Sequence, residues 1–60
     1  MADILIADDS DTVRSIMKEM LENSGHNVVG EATNGLGAVT MFEELRPDIT
    51  TLDIDRKSVV

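Results

Sequence analysis

A chain of 60 residues can form at most one small domain, and its twelve acidic and five basic residues give a net charge of -7. This charge argues against a surface that binds nucleic acid or an anionic membrane, because such surfaces are basic. Since the chain has no cysteine and one histidine, neither a disulfide framework nor a zinc site is predicted, and self-association remains as a source of added stability.

The first predicted element is a short strand over residues 4–7, which form a continuous apolar run. Such a run is typical of a strand buried on both faces of a sheet. Residues 8–11, of which three are aspartates, separate this strand from a predicted helix. The apolar residues of this helix recur at the spacing of one helical face, and they are Val13, Ile16, Met17, Met20 and Leu21.

The ends of this helix and the next strand are also marked in the sequence. Ser10 or Asp11 can cap the start of the helix, and Gly25 lies where a left-handed residue commonly ends one. Residues 27–32 are then predicted to form a second strand.

A turn at Asn34 and Gly35 precedes a second predicted helix, which ends before Pro47 because proline disfavours helical geometry in the residue before it. Residues 49–54 are predicted to form a third strand. The inward-facing residues of the second helix are predicted to be Ala38, Val39, Phe42 and Leu45.

The alternation of three strands with two helices predicts an α/β fold with parallel pairing, since the crossovers are long. Right-handed crossovers place the first strand in the centre, in the order 2-1-3, if the two connections cover opposite faces of the sheet. We therefore expect a three-stranded parallel sheet with helices on both faces.

Three carboxylates are predicted near the carboxyl ends of neighbouring strands, and they belong to Asp8, Asp9 and Asp53. Ligands of open parallel sheets bind beyond these ends. A divalent cation such as Mg²⁺ would relieve the repulsion between the three charges. Alternatively, Asp8 and Asp9 only favour the N-terminus of the helix, and Asp53 is a solvated strand end. The spacing alone leaves both interpretations open.

Two other kinds of site are excluded by spacing. A calcium-binding loop that began at Asp9 would need glycine and glutamate where the chain has Arg14 and Met20. A dinucleotide-binding loop at residues 35–37 would need a third glycine where the chain has Thr40.

Four blocks follow one another in the chain, with an acidic pair, an Asn-Gly pair, a Pro-Asp pair and an aspartate in the third strand. They are residues 4–10, 30–35, 46–49 and 52–54. In this order and spacing they resemble the receiver domain of bacterial response regulators, closest to the stand-alone chemotaxis type. The resemblance implies a truncated flavodoxin-like βαβαβ half-fold over residues 1–54, followed by a non-family tail over residues 55–60.

The resemblance also implies a role for each acidic residue. Asp53 would be the phosphoacceptor, which takes a phosphoryl group from the histidine of a sensor histidine kinase. Asp9 and Asp53, with the backbone carbonyl of Asp55, would ligate Mg²⁺, and Asp8 would reach the ion through water. The cation would neutralise charge as the phosphoryl group is transferred.

The chain also departs from the family pattern, because family receivers are longer and their later segments carry a hydroxyl residue and a lysine that contact the phosphoryl group. We therefore expect impaired phosphotransfer and no enzymatic activity. The alternative is a non-catalytic homodimer or assembly module that pairs through the third strand or the tail. Without a signal peptide or membrane span in the sequence, the expected location is the cytoplasm.

Overall fold

The structure is a computed structural model that describes residues 1–53. Its elements in chain order are β1 (Asp3–Asp8), α1 (Asp11–Asn23), β2 (Asn27–Ala32), α2 (Gly35–Leu45) and β3 (Ile49–Asp53). The described strands form one parallel sheet in the order β2-β1-β3. The predicted α/β class, strand order and parallel pairing are therefore confirmed.

The centre of the fold is β1, which is hydrogen-bonded to a strand on each side. Its apolar residues, at 2% exposure or less, are Ile4, Leu5, Ile6 and Ala7. Strands on both edges and helices on both faces exclude water from this strand, as its continuous apolar run predicted.

The two helices of the described residues cover opposite faces of the sheet. On one face, Ala7 and Ala32 pack with Ala38 of α2. On the other face, Glu31 of β2 forms an ion pair with Lys18 of α1, with 3.6 Å between Nζ and Oε2. Opposite faces are what right-handed crossovers require when the second and third strands lie on either side of the first.

Side-chain and backbone caps fix the ends of both helices. The Ser10 hydroxyl accepts a hydrogen bond from the Val13 amide, and Gly25 has a left-handed φ of 89° just after α1. The Asn34 side chain accepts from the Gly37 amide at 2.8 Å, so this residue starts α2 directly and does not form a separate turn. The start of each helix is thus encoded by the residue before it.

The burial predicted for the helices is only partly correct. Ala38 is the only α2 residue that is buried within the described part of the chain, whereas Val39, Phe42 and Leu45 remain substantially exposed. The same holds for α1, whose apolar face keeps Ile16 about half exposed. A sheet of three strands is too narrow to cover the whole apolar face of either helix.

Two predictions at the end of the chain lie outside the described residues. The third strand was expected to include Ile54, and the structure describes it only as far as Asp53. The proposed tail, residues 55–60, also lies beyond the described part. Within residues 1–53, neither helix has the length and hydropathy that a bilayer-spanning segment needs.

Candidate functional site

The candidate site lies at the carboxyl ends of β1 and β3. Asp8 and Asp53 are the last residues of these strands, and they are paired in register. Neighbouring strands in a sheet are about 4.8 Å apart, so the backbones of the two aspartates lie side by side. The sheet thus brings together one carboxylate from the first block of the sequence and one from the last.

Asp8 is a buried carboxylate with an incomplete set of hydrogen bonds. Its residue exposure is 2%, and its Oδ1 accepts from the Ser10 amide at 2.8 Å. Its Oδ2 is buried without a hydrogen-bond partner among the described residues. A buried carboxylate oxygen without a donor is energetically costly, so this atom favours the approach of a cation or a water molecule.

The other two candidate carboxylates have a different environment. Asp9 follows β1 and is exposed, and Asp53 is exposed at the end of β3. Residues 1–53 contain no group of three or more carboxylate, imidazole or thiolate side chains that is already arranged to hold a metal. The structure therefore pairs Asp8 with Asp53 but does not bring Asp9 into a preassembled cluster. Asp55, whose backbone carbonyl was predicted to be a ligand, lies outside the described residues.

The side-chain oxygens near the strand ends nevertheless fit a hard divalent cation as ligands. Those of Asp8, Asp9 and Asp53 are carboxylate oxygens, which are protein ligands that Mg²⁺ uses, and Mg²⁺ retains several water molecules when it binds. A site with few preassembled ligands and one buried unpaired oxygen is compatible with this coordination.

A network of charged side chains beside the site was not predicted from the sequence. Arg14 of α1 donates from Nη1 to the backbone carbonyl oxygen of Asp8 at 2.8 Å, and its Nη2 is paired with Asp11. Its Nε lies 3.5 Å from Oε1 of Glu31, which also pairs with Lys18. The spacing of Asp11 and Arg14, three residues apart on one helix, was the only signal of this network in the sequence.

The protonation state of Arg14 follows from these contacts. The hydrogen bond to Asp11 raises the pKa of the Arg14 guanidinium above its ordinary value, and the negative charges of Asp11 and Glu31 add to this effect against the cost of burial. Arg14 is therefore a permanent cation next to the backbone of Asp8.

Comparison with known proteins places these features in a family context. Residues 4–58 match the model of the response regulator receiver domain. The chain is 47% identical over 51 residues to chemotaxis protein CheY of Thermotoga maritima, which covers 85% of this chain and 42% of that protein.

Two further relatives show the same pattern. Chemotaxis protein CheY of Listeria monocytogenes is 46% identical over 54 residues, which are 90% of this chain and 45% of that protein. Protein-glutamate methylesterase/protein-glutamine glutaminase 3 of Hahella chejuensis is 42% identical over 52 residues, which are 87% of this chain and 15% of that protein. The chain thus spans less than half the length of each of these relatives.

Proposed function

The chain belongs to the response regulator receiver domain family, and on this basis we propose that it is a phosphorelay signalling domain whose phosphoacceptor is Asp53. The observation that carries the proposal is the in-register pairing of Asp53 with Asp8 at the ends of neighbouring strands. This is the edge at which ligands of parallel sheets bind. We assign the function to residues 1–54 and treat residues 55–60 as a tail, although the family match reaches into the latter.

The proposed site includes Mg²⁺. Asp9 and Asp53, with the backbone carbonyl of Asp55, are proposed as direct ligands, and Asp8 as a ligand through water. The unpaired buried Oδ2 of Asp8 supports this proposal, because a hydrated cation would supply the missing partner. When bound, the ion supplies positive charge that stabilises the phosphoryl oxygens during transfer.

The proposed reaction modifies the chain itself, so the chain acts as a signalling domain and not as an enzyme. A carboxylate oxygen of Asp53 forms a bond to the phosphorus of a phosphohistidine, the phosphorus–nitrogen bond breaks, and the histidine leaves with the electron pair. Because Asp53 is exposed, a histidine carried by another protein can approach it. A sensor histidine kinase in the cytoplasm is the proposed partner.

We further propose that a polypeptide of these 60 residues is phosphorylated slowly. The family resemblance places the hydroxyl residue and the lysine that contact the phosphoryl group in segments that follow the third strand. Each preorganised donor of this kind contributes about 2.7–4 kcal/mol to transition-state stabilisation. A chain that lacks both donors is expected to react much more slowly than a complete receiver.

The test is incubation of the 60-residue polypeptide with a small acyl phosphate and Mg²⁺, followed by intact mass measurement. We expect the slow gain of one phosphoryl group, which disappears without Mg²⁺ and in Asp53→Asn. Asp48→Asn is the matched control, because Asp48 lies at the opposite end of β3 and its replacement keeps an oxygen that can accept from the Asp3 amide.

Three results would contradict parts of this proposal. Labelling that persists in Asp53→Asn would exclude Asp53 as the phosphoacceptor, and no labelling at all would contradict the expected slow phosphorylation of this polypeptide. Labelling that does not depend on Mg²⁺ would exclude the metal. Rapid and complete labelling of Asp53 would show that the two additional donors are not needed.

A second candidate function is a non-catalytic assembly module, in which two copies associate through β3 or the tail. It is favoured by an apolar groove of about 860 Å³ between α2 and β3, which Val39, Phe42 and Leu52 line. In the described sheet, β3 is also an edge strand, and its free backbone groups can pair with another strand.

A further inference from the structure

Arg14 connects three elements of the fold at the candidate site. Its side chain is only 12% exposed, and its guanidinium contacts the carbonyl oxygen of Asp8 in β1, the carboxylate of Asp11 in α1 and the carboxylate of Glu31 in β2. An arginine can make these contacts together because its donors form a rigid planar fork. Hydrogen bonds to Asp8 and Asp11 therefore fix the orientation of the guanidinium, while Nε is paired with Glu31 by charge at 3.5 Å and has no hydrogen-bond partner among the described residues.

The contact with Asp8 acts on the peptide unit that precedes Asp9. The Asp8 carbonyl and the Asp9 amide belong to the same planar group, so a hydrogen bond to the carbonyl at 2.8 Å restrains the orientation of the whole unit. This orientation, together with φ of Asp9, sets the direction in which the Asp9 side chain leaves the backbone. Arg14 thus acts on a proposed metal ligand that it does not contact.

Hydrogen bonds along the backbone hold the same segment from its other end. The Ser10 amide donates to Oδ1 of Asp8 at 2.8 Å, and the Arg14 amide donates to the Ser10 carbonyl oxygen at 3.0 Å. The side chain and backbone of Arg14 therefore restrain both ends of the segment between β1 and α1. Asp9 is the exposed residue in the middle of this restrained segment.

A cation near a Mg²⁺ site would weaken metal binding if its charge were not balanced. Arg14 and Lys18 are balanced by Asp11 and Glu31, with which they form ion pairs. The guanidinium can consequently hold the backbone of Asp8 in place without adding net positive charge to the site.

We propose that Arg14 is a positioning residue, which orients the Asp8–Asp9 peptide unit so that the Asp9 carboxylate is directed toward Mg²⁺. This inference rests on the proposed metal site. Residues that orient a ligand typically change metal affinity by about 10- to 100-fold when they are replaced. This positioning requires the several hydrogen-bond donors of the planar guanidinium and not only its positive charge.

The first measurement needs no metal, so it tests the positioning of the peptide unit separately from the proposed function. In the full 60-residue chain labelled for NMR, Arg14→Met is expected to change the ¹³C shift of the Asp8 carbonyl and the three-bond coupling that reports φ of Asp9. Arg14→Lys, which can make one contact at a time, is expected to give intermediate values.

The matched control is Lys18→Met, which removes the same charge from the same network without contacting Asp8. It is expected to leave the Asp8 carbonyl shift and the Asp9 coupling unchanged. The inference is overturned if Arg14→Met also leaves both unchanged, or if Lys18→Met alters them equally.

The second measurement is a titration with Mg²⁺ alone, followed through the amide shifts of Asp8, Asp9 and Asp53 and corrected for the folded fraction of each variant. The dissociation constant is expected to rise about 10-fold in Arg14→Met, less in Arg14→Lys and not in Lys18→Met. If charge alone mattered, both methionine variants would bind Mg²⁺ more tightly, which would overturn the inference. Absence of binding to the wild-type chain would instead contradict the proposed metal site, while the metal-free measurement would still test the restraint by Arg14.

Discussion

Asp8 differs from the other acidic residues of the site in both burial and hydrogen bonding. One of its oxygens is held by the Ser10 amide, whereas the other is buried without a partner among residues 1–53. Asp53 is paired beside it and adds a second negative charge at the same edge of the sheet. Without a cation, the arrangement of Asp8 therefore opposes the stability of the fold.

We predict that Asp8→Asn stabilises the metal-free chain by about 1 kcal/mol, because it removes a buried charge and keeps an oxygen that can accept from the Ser10 amide. Urea denaturation with and without Mg²⁺ checks this. The wild-type chain should gain stability from Mg²⁺, and the variant should gain less. A variant that is less stable than the wild-type chain in the absence of metal would contradict the prediction.

At the scale of single residues, the sequence placed the candidate carboxylates near the strand ends but did not predict the surroundings of each. Strand ends and motif order were sufficient to select Asp8, Asp9 and Asp53. Asp8 is buried and Asp9 is exposed because β1 ends at Asp8. The network of Arg14 depends on the packing of α1 on β2, which brings Glu31 within reach. Neither can be determined from spacing along the chain.

At the scale of elements, local signals determined where helices and strands begin and end. The second strand was predicted over residues 27–32 and is found at Asn27–Ala32. Ser10, one of two predicted caps, is the observed N-cap of α1. Helix α2 ends before Pro47, as the effect of proline on the preceding residue predicted, but the left-handed φ of 49° at Arg46 differs from the extended backbone that a following proline usually favours. These features depend on residues that are adjacent in the chain, so they can be predicted from the sequence.

We predict that Ser10→Ala destabilises the chain by about 1 kcal/mol, because the Val13 amide loses its acceptor at the start of α1. Ser15→Ala, in the exposed middle of the same helix, is the control and should have a much smaller effect. Urea denaturation monitored by circular dichroism measures both. Equal effects of the two substitutions would show that the cap contributes nothing specific to α1.

At the scale of the whole molecule, the incomplete burial of the helices has one cause. The described sheet has three strands, and the apolar faces of α1 and α2 are wider than the surface that these strands offer. The predicted inward faces are correct only in part: Met17 and Leu21 of α1 are half-buried and Ala38 of α2 is buried, whereas Ile16 and Val39 are more than half exposed. Met41 packs against the buried cluster in addition. The extent of burial depends on the width of the sheet. Large apolar side chains that remain at least 40% exposed in α2 and β3 are Leu36, Val39, Phe42, Leu45, Ile49 and Leu52.

The last prediction concerns self-association of the 60-residue polypeptide. The groove between α2 and β3 leaves Leu52 68% exposed beside the edge of the described sheet. Burial of such a surface against a second copy is favourable by about 25 cal/mol per Å² of apolar area. Repulsion between two chains that each carry a charge of -7 opposes association, although salt screens this repulsion beyond about 8–10 Å.

We therefore expect sedimentation over a dilution series to show a homodimer at high concentration, with a melting temperature that rises with concentration and a dimer that strengthens with added salt. Leu52→Lys should abolish the dimer by placing a charge in the groove. Leu36→Lys is the matched control, since Leu36 is 81% exposed on the same helix as Phe42 but does not line the groove. A monomer that stays folded at every concentration would exclude the dimer. Equal loss of the dimer in both variants would exclude this groove as the interface, because added charge in general would then be the cause.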